Sequence, residues 1–142
     1  MAEVKMEKYY QAYDKRYQQI HNLKLQWSSD VVTPILQELT VQFGIRKTDK
    51  ILEIGCGEGR DALWLLEQGY DILATDVSKE AISYCKKKNS KFSHLFFQLD
   101  VCEERLPQTF KFIYSISVIH MLVNQEDRNR FLTFIRDHLD ED

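Results

Sequence analysis

Apolar residues recur along this chain at two periods, and the switches between them mark out the elements. Met6, Tyr10, Tyr13, Tyr17 and Ile20 stand three or four positions apart. That is the spacing of one helix face, so a helix is expected over residues 6–20. A second helix is expected from Thr33-Pro34, with proline in its first turn. It would carry Ile35, Leu36, Leu39 and Phe43 inward and stop at Gly44. A short apolar run, Lys50–Ile54, reads as the first strand. Helical spacing returns over 60–68, with Leu63, Trp64 and Leu66 inward and Gly69 closing it. A second strand follows over 71–75, then a helix over Lys79–Lys88 led by Ser78 as N-cap. Residues 94–99 and 111–117 read as strands three and four. Asn124 caps a last helix over 125–139, with Phe131, Leu132, Ile135 and Leu139 facing inward.

Strands that alternate with helices build a parallel sheet covered on both faces, joined by right-handed crossovers. This predicts an α/β, Rossmann-like doubly wound fold. In such sheets ligands sit at the carboxyl ends of the strands, where strand order reverses. The glycines after strand one, Asp76, Asp100 and Ser117 all fall at those ends. No repeat or linker divides the chain, so residues 1–142 read as one domain, with 1–29 a helical segment ahead of the sheet.

Composition narrows the partners. The chain is 44% hydrophobic and carries a net charge of −3, enough for a core and no invitation to nucleic acid or an anionic membrane. No apolar run approaches the roughly 20 residues of a membrane span, and the N-terminus has no signal-peptide core. Cys56, Cys85 and Cys102 are scattered and odd in number, which fits reduced thiols in a cytoplasmic protein. His21, His94, His120 and His138 show no ligand spacing, so no metal site is expected.

The chemistry concentrates in Glu53-Ile54-Gly55-Cys56-Gly57-Glu58-Gly59-Arg60. Glycines at every second position let the backbone approach a ligand, and the following helix start offers free N–H groups. A nicotinamide site would place its third glycine where Arg60 stands, and a phosphate-cradling P-loop would end in G-K-[ST]. Neither pattern is met. Asp76 ends the second strand 17 positions after Gly59, near the spacing of an acid that takes ribose hydroxyls. The plain alternatives are a glycine turn without ligand and an aspartate that caps the next helix.

The E-x-G-x-G-x-G run with Asp76 resembles motif I and the ribose acid of class I S-adenosylmethionine-dependent methyltransferases. The resemblance covers roughly residues 9–139 and is most specific over 51–78. It implies S-adenosyl-L-methionine as cofactor. Gly55 and Gly57 would give backbone approach, and Glu53 would serve the loop and the ammonium group. Asp76 would take the ribose, Val77 would lie on the adenine face, and Asp100 with the Val101 N–H would meet the adenine edge. Ser117, in Ser115-Ile116-Ser117-Val118-Ile119-His120, would lie near the reacting end. His120 is either a general base or a packed helix-turn histidine. The stripe Tyr9, Tyr10, Tyr13, Tyr17 is either a lid over the cofactor or an ordinary amphipathic face. Lys86, Lys87, Lys88 and Lys91 read as a solvated helix end.

The run Gly59-Arg60-Asp61 with Gly69-Tyr70-Asp71 is most similar to small bacterial enzymes of the tellurite-resistance and thiopurine methyltransferase type. Two departures matter. Lys111 stands where the family often has an acid, and no D-P-P-Y or N-P-P-Y is present, which turns the reading away from bases and glutamines and toward a small-molecule methyl acceptor. The family sheet also has seven strands, whereas residues 140–142 follow the helix after strand four. The chain therefore reads as an N-terminal fragment with its C-terminal strands missing, and its fourth strand as an open edge suited to self-association. The rival readings are a cofactor-binding or regulatory domain without catalysis, and a nicotinamide oxidoreductase.

Overall fold

The computed structural model describes residues 7–141. A one-turn 3-10 helix, Tyr9–Ala12, leads into α1 (Tyr13–Asn22), and α2 (Pro34–Gln42) follows. Then come β1 (Lys50–Ile54), α3 (Arg60–Glu67), β2 (Asp71–Asp76), α4 (Lys79–Lys88), β3 (Phe96–Gln98), β4 (Phe112–Tyr114) and α5 (Gln125–His138). The four strands are parallel in the order β3-β2-β1-β4. Strand order reverses between β1 and β4, so the ligand crevice is expected above β1. Among the described residues no helix is long and apolar enough to cross a membrane.

The two-residue period of the strands separates two cores. Ile51, Ile72 and Ala74 face a cluster with Leu36, Leu65, Ile82 and Phe96. Leu52 and Ile54 face the other, with Phe110, Phe131, Phe134 and Tyr10. The sheet is thus covered on both faces, as the alternation of elements predicts. Glu53 shares the Ile51 face of β1 and is buried there.

Several expected boundaries and faces shift. The first helix begins with a 3-10 turn at Tyr9 and runs on to Asn22; Met6 lies outside the described residues. Residues 90–95 wind into a 3-10 turn, so β3 starts at Phe96. β4 ends at Tyr114, because the Ser115 hydroxyl donates to the Ile54 carbonyl at 2.9 Å and Ser117 adopts φ +60°. Ile35, Phe43, Leu132 and Leu139 are exposed. In α3 the inward face is Ala62, Leu65 and Leu66, with Leu63 and Trp64 half-buried.

In α5 the buried side chains are Asp127, Phe131, Phe134 and His138. Phe131 faces inward as expected, but residue type alone would not place Asp127 or His138 on that face. Polar Asp127 and His138 lie on it because each is bonded there. Asp127 pairs with the Lys8 ammonium. His138 Nε2 accepts from the Leu106 N–H at 2.9 Å, and its ring stacks on Phe134.

β4 stands at the edge of the sheet, as expected. The start of that edge is engaged: Phe110 N–H donates to the His138 carbonyl, and Asp140 N–H donates to the Phe110 carbonyl.

Candidate functional site

A cavity of about 480 Å³ opens above the carboxyl ends of β1 and β2. Every site residue expected from the sequence lines it: Glu53, Gly55, Gly57, Asp76, Val77, Asp100, Val101, Ser117 and His120. Four separate segments of chain converge there, as their places at strand ends require.

The glycine turn is shaped by what packs on it. Gly55, Gly57 and Gly59 all have positive φ, a region costly for residues with a Cβ. A Cβ at Gly55 would lie 2.2 Å from Val118 Cγ2. A Cβ at Gly59, the N-cap of α3, would lie 3.0 Å from Cys85 Sγ and 3.1 Å from the Phe96 ring. The alternating glycines therefore serve close packing on two sides as well as the turn itself.

Asp76 is held by backbone. Its Oδ2 accepts from the Gly57 N–H and its Oδ1 from the Ser78 N–H, each at 2.8 Å. Burial pushes the carboxyl above the usual range, against these two bonds, which favour the charged form. Ser78 also caps α4, its hydroxyl accepting from Ala81 N–H at 3.0 Å. The fixed carboxylate and the capped helix thus share one turn.

Asp100 accepts from the Cys102 N–H through Oδ1, and from the Tyr10 hydroxyl and the Gln11 amide through Oδ2. Glu53 is different. Its Oε1 is buried with no hydrogen-bond partner among the described residues, and so is the Tyr114 hydroxyl. Burial, with the charge of Asp61 adding to it, pushes the Glu53 carboxyl up to about 8. Ser117 is exposed at the rim in a left-handed conformation, a form of backbone strain that clusters at functional sites. His120 is exposed on the 3-10 turn Ile119–Met121 rather than packed beneath the sheet.

The N-terminal segment forms one wall. Tyr10, Tyr13, Tyr17, Trp27 and Ser28 line the cavity. Tyr17 lies over the glycine turn, its hydroxyl 2.9 Å from where a Gly57 Cβ would stand. Trp27 packs on Tyr17 and Tyr13 with ring centroids 5.2 and 5.9 Å apart. Carboxylates fasten this wall. Glu58 accepts from the Trp27 and Ser28 N–H groups at 3.0 and 2.6 Å and meets His21 Nε2 at 2.7 Å. Asp61 accepts from the Thr33 N–H and hydroxyl at 2.7 and 2.8 Å. Asp14 accepts from the Ser78 hydroxyl and the Glu80 N–H.

Tyr17 lies over the glycine turn, as the lid alternative for the tyrosine stripe allows, but Glu58 and Asp61 were not singled out as site-building residues from the sequence, nor was the hydrogen bond that joins Tyr10 to Asp100. The available signals were two acids beside the glycine run and the tyrosine stripe. Neither says what it will touch.

Comparison with known proteins places this geometry. A family model described as a methyltransferase domain matches residues 51–142. The chain belongs to this methyltransferase family. It is 28% identical over 93 residues to the probable S-adenosyl-L-methionine-dependent methyltransferase TehB of Haemophilus influenzae, a match spanning 63% of this chain and 32% of TehB. In fold it is similar to a TehB-like SAM-dependent methyltransferase from Corynebacterium glutamicum, with TM-score 0.61 and 23% identity over 89% of this chain and 65% of that one. It is similar also to the glycopeptide N-methyltransferase MtfA complexed with S-adenosylmethionine, with TM-score 0.60 and 20% identity over 72% of this chain and 45% of MtfA. The methyltransferase family match begins at β1 and contains the glycine turn, Asp76 and Asp100. The N-terminal wall lies outside it.

Proposed function

We propose that this chain is an S-adenosyl-L-methionine-dependent methyltransferase domain acting on a small molecule. The charge of the cavity carries the reading. Five acidic residues line it (Glu53, Glu58, Asp61, Asp76 and Asp100), Glu53 mostly in its neutral form at neutral pH, against the single guanidinium of Arg60. A pyrophosphate would meet repulsion there, whereas a sulfonium nucleoside with an ammonium tail meets attraction. That distinction favours S-adenosylmethionine over a nicotinamide dinucleotide.

The residues present fit such a cofactor. Gly55 and Gly57 allow close backbone approach. Asp76, fixed by two amides, suits the ribose hydroxyls. Asp100 with the Val101 N–H suits the adenine edge, Val77 its face, and Glu53 the ammonium. Ser117 lies toward the reacting end, with His120 as a candidate base. When bound, the cofactor supplies an activated methyl group to a nucleophile. The chain's own contribution is to bind, orient and exclude water, and orientation alone accounts for much of the catalysis in such transfers. His120 would act only where the acceptor must lose a proton early.

Residues 1–29 act in this reading as a lid segment. The partner is a small-molecule methyl acceptor rather than nucleic acid, in keeping with the net charge of −3. Three unbridged, buried cysteines support a cytoplasmic setting. The β4 edge, beyond the Phe110 bonds, supports self-association, to be read by sedimentation. The deciding experiment is titration calorimetry with S-adenosylhomocysteine and, separately, NAD. Binding of the former alone is expected. Folded protein that binds NAD instead, or neither, ends this reading, and binding without methyl transfer would mark a cofactor-binding domain.

A further inference from the structure

His21 joins three parts of the fold that meet beside the cavity. It stands near the end of α1, and both of its ring nitrogens meet carboxylate oxygens. Nε2 lies 2.7 Å from Glu58 Oε2 in the glycine turn, and Nδ1 lies 2.8 Å from Glu80 Oε1 on α4. The side chain is 7% exposed. Its ring stacks on Tyr84 of α4 at 4.2 Å and meets Tyr17 of α1 at 5.8 Å. Among the described residues, the only ion-pair partner of either Glu58 or Glu80 is His21. The nearby charges are otherwise taken up. Lys88 lies 5.6 Å from the Tyr84 ring centre and pairs with Asp30 at 2.9 Å. Asp14, two turns earlier on α1, accepts from the Ser78 hydroxyl and the Glu80 N–H.

A neutral imidazole has one N–H and one bare nitrogen, and the bare nitrogen would turn its lone pair on a carboxylate. Two carboxylates are satisfied only by the doubly protonated ring, as a charge-assisted bridge. That bridge fixes the end of α1. Tyr17, one turn earlier, is thereby held over Gly57, and Trp27 packs on Tyr17 while Glu58 accepts from its N–H. Resting on the cofactor reading above, we propose that His21 is a positioning residue: its imidazolium latches the Tyr17–Trp27 wall over the glycine turn, and loss of one ring proton lets that wall open for cofactor exchange. The latch is complete in mild acid, where a histidine ring carries both protons, and incomplete in mild alkali, where it carries one. Glu58 stays ionised throughout. Burial acts to raise its carboxyl, but bonds from Ser28, Trp27 and His21 hold it below the ordinary value.

The test uses the wild-type chain, His21→Gln and Glu80→Gln at about pH 6 and about pH 9. It measures how fast bound S-adenosylhomocysteine leaves each, and how fast a protease cuts residues 23–33 of each without ligand. Glu53 titrates across the same interval, so proteins are compared only at equal pH. In mild acid the wild type should release the ligand about 10-fold or more slowly than His21→Gln, the size of a lost charge-assisted hydrogen bond. In mild alkali the two should converge. Glu80→Gln should hold the ligand longer than the wild type in alkali, since a glutamine amide can donate to a neutral ring where a carboxylate cannot. Cleavage should follow the same order. A ratio of wild type to His21→Gln that is unchanged between the two pH values makes His21 a packing residue and overturns the latch. So does a Glu80→Gln that follows the wild type at both. Should His21→Gln fail to fold, Glu80→Gln decides alone, because its site is partly exposed. Wild-type protein that binds no S-adenosylhomocysteine defeats the cofactor reading, and the ligand-free cleavage profile then still decides the latch.

Discussion

The Tyr10 hydroxyl donates to Asp100 Oδ2 at 2.8 Å, tying the N-terminal 3-10 turn to the loop after β3. Tyr10 is buried against Leu99, Val101 and Phe131 in the same core cluster. One residue therefore closes a core and holds a cavity carboxylate. Tyr10→Phe keeps the ring and removes the donor. It should lower stability by about 1.5–3 kcal/mol, the range for a hydrogen bond to a charged group. A double-mutant cycle with Asp100→Asn, read by urea unfolding, should return a coupling of about 1 kcal/mol or more. Simple additivity would mean the two side chains do not act together.

Glu53 predicts a pH slope of its own. Its carboxyl is raised to about 8 in the fold, against about 4.3 in an unfolded chain. Between those values the folded state holds a proton that the unfolded state has lost, so stability falls as pH rises from about 4.3 to 8. The full penalty, reached above pH 8, is on the order of 5 kcal/mol. Glu53→Gln should match the wild type near pH 5, exceed it in melting temperature near pH 9, and flatten the slope between. A wild-type curve level over that interval would contradict the buried, unpaired state of this carboxyl.

The opposite sign is expected at Glu58. Burial acts to raise its carboxyl, but hydrogen bonds from Ser28, Trp27 and His21 outweigh that and hold it below the ordinary value. Its contribution is therefore present above about pH 4.3 and lost as pH falls through the lowered value. The first consequence of acid should be release of the 27–28 turn from the glycine loop. Trp27 reports on it directly, since its N–H is one of the bonds lost. Trp27 and Trp64 both fluoresce, so the measurement needs Trp64→Phe as background. Glu58→Gln should shift the acid transition and open the 23–33 stretch to limited proteolysis at neutral pH.

Gly55 carries two separate constraints, which substitution can take apart. Gly55→Ala adds a methyl 2.2 Å from Val118 Cγ2 and puts a Cβ at φ +82°. The clash costs about 1–3 kcal/mol and the backbone about 1–2. Adding Val118→Ala should return the clash portion and leave the backbone portion. Full rescue, measured by unfolding free energy, would show the positive φ to be unimportant at this turn.

The sequence exposed those parts of the site that depend on local rules. Alternating glycines after an apolar run mark a tight turn. Asp76 and Asp100 stand at strand ends because strand length and side-chain period put them there. Ser78 and Asn124 announce helix starts, and both accept the expected backbone N–H. What local rules misjudged were faces and edges. Phe43 and Leu132 look inward by residue type and are exposed, whereas Asp127 and His138 are polar and buried. Burial follows from partners, and the partners here are Lys8, Leu106 and Phe134, far away in sequence or on another turn.

The N-terminal wall makes the same division plain. Its tyrosine spacing predicts a helix with one apolar face, and either packing or a lid would satisfy that spacing. Fastening by Glu58, Asp61, Asp14 and Asp100 joins positions 28 to 90 residues apart, through hydrogen bonds whose geometry exists only once the sheet is assembled. By itself, then, the sequence determined the parallel α/β sheet, the glycine turn and the carboxylates at its strand ends, because each rests on short-range backbone preferences and side-chain period. The tertiary structure alone decided which of those carboxylates are occupied by the chain and which stand free. Asp100 is bonded by Tyr10, Asp61 by Thr33 and Glu58 by Ser28, while Glu53 lies buried with an open oxygen. That outcome depends on long-range packing and on which charges lose water, and no local pattern encodes either.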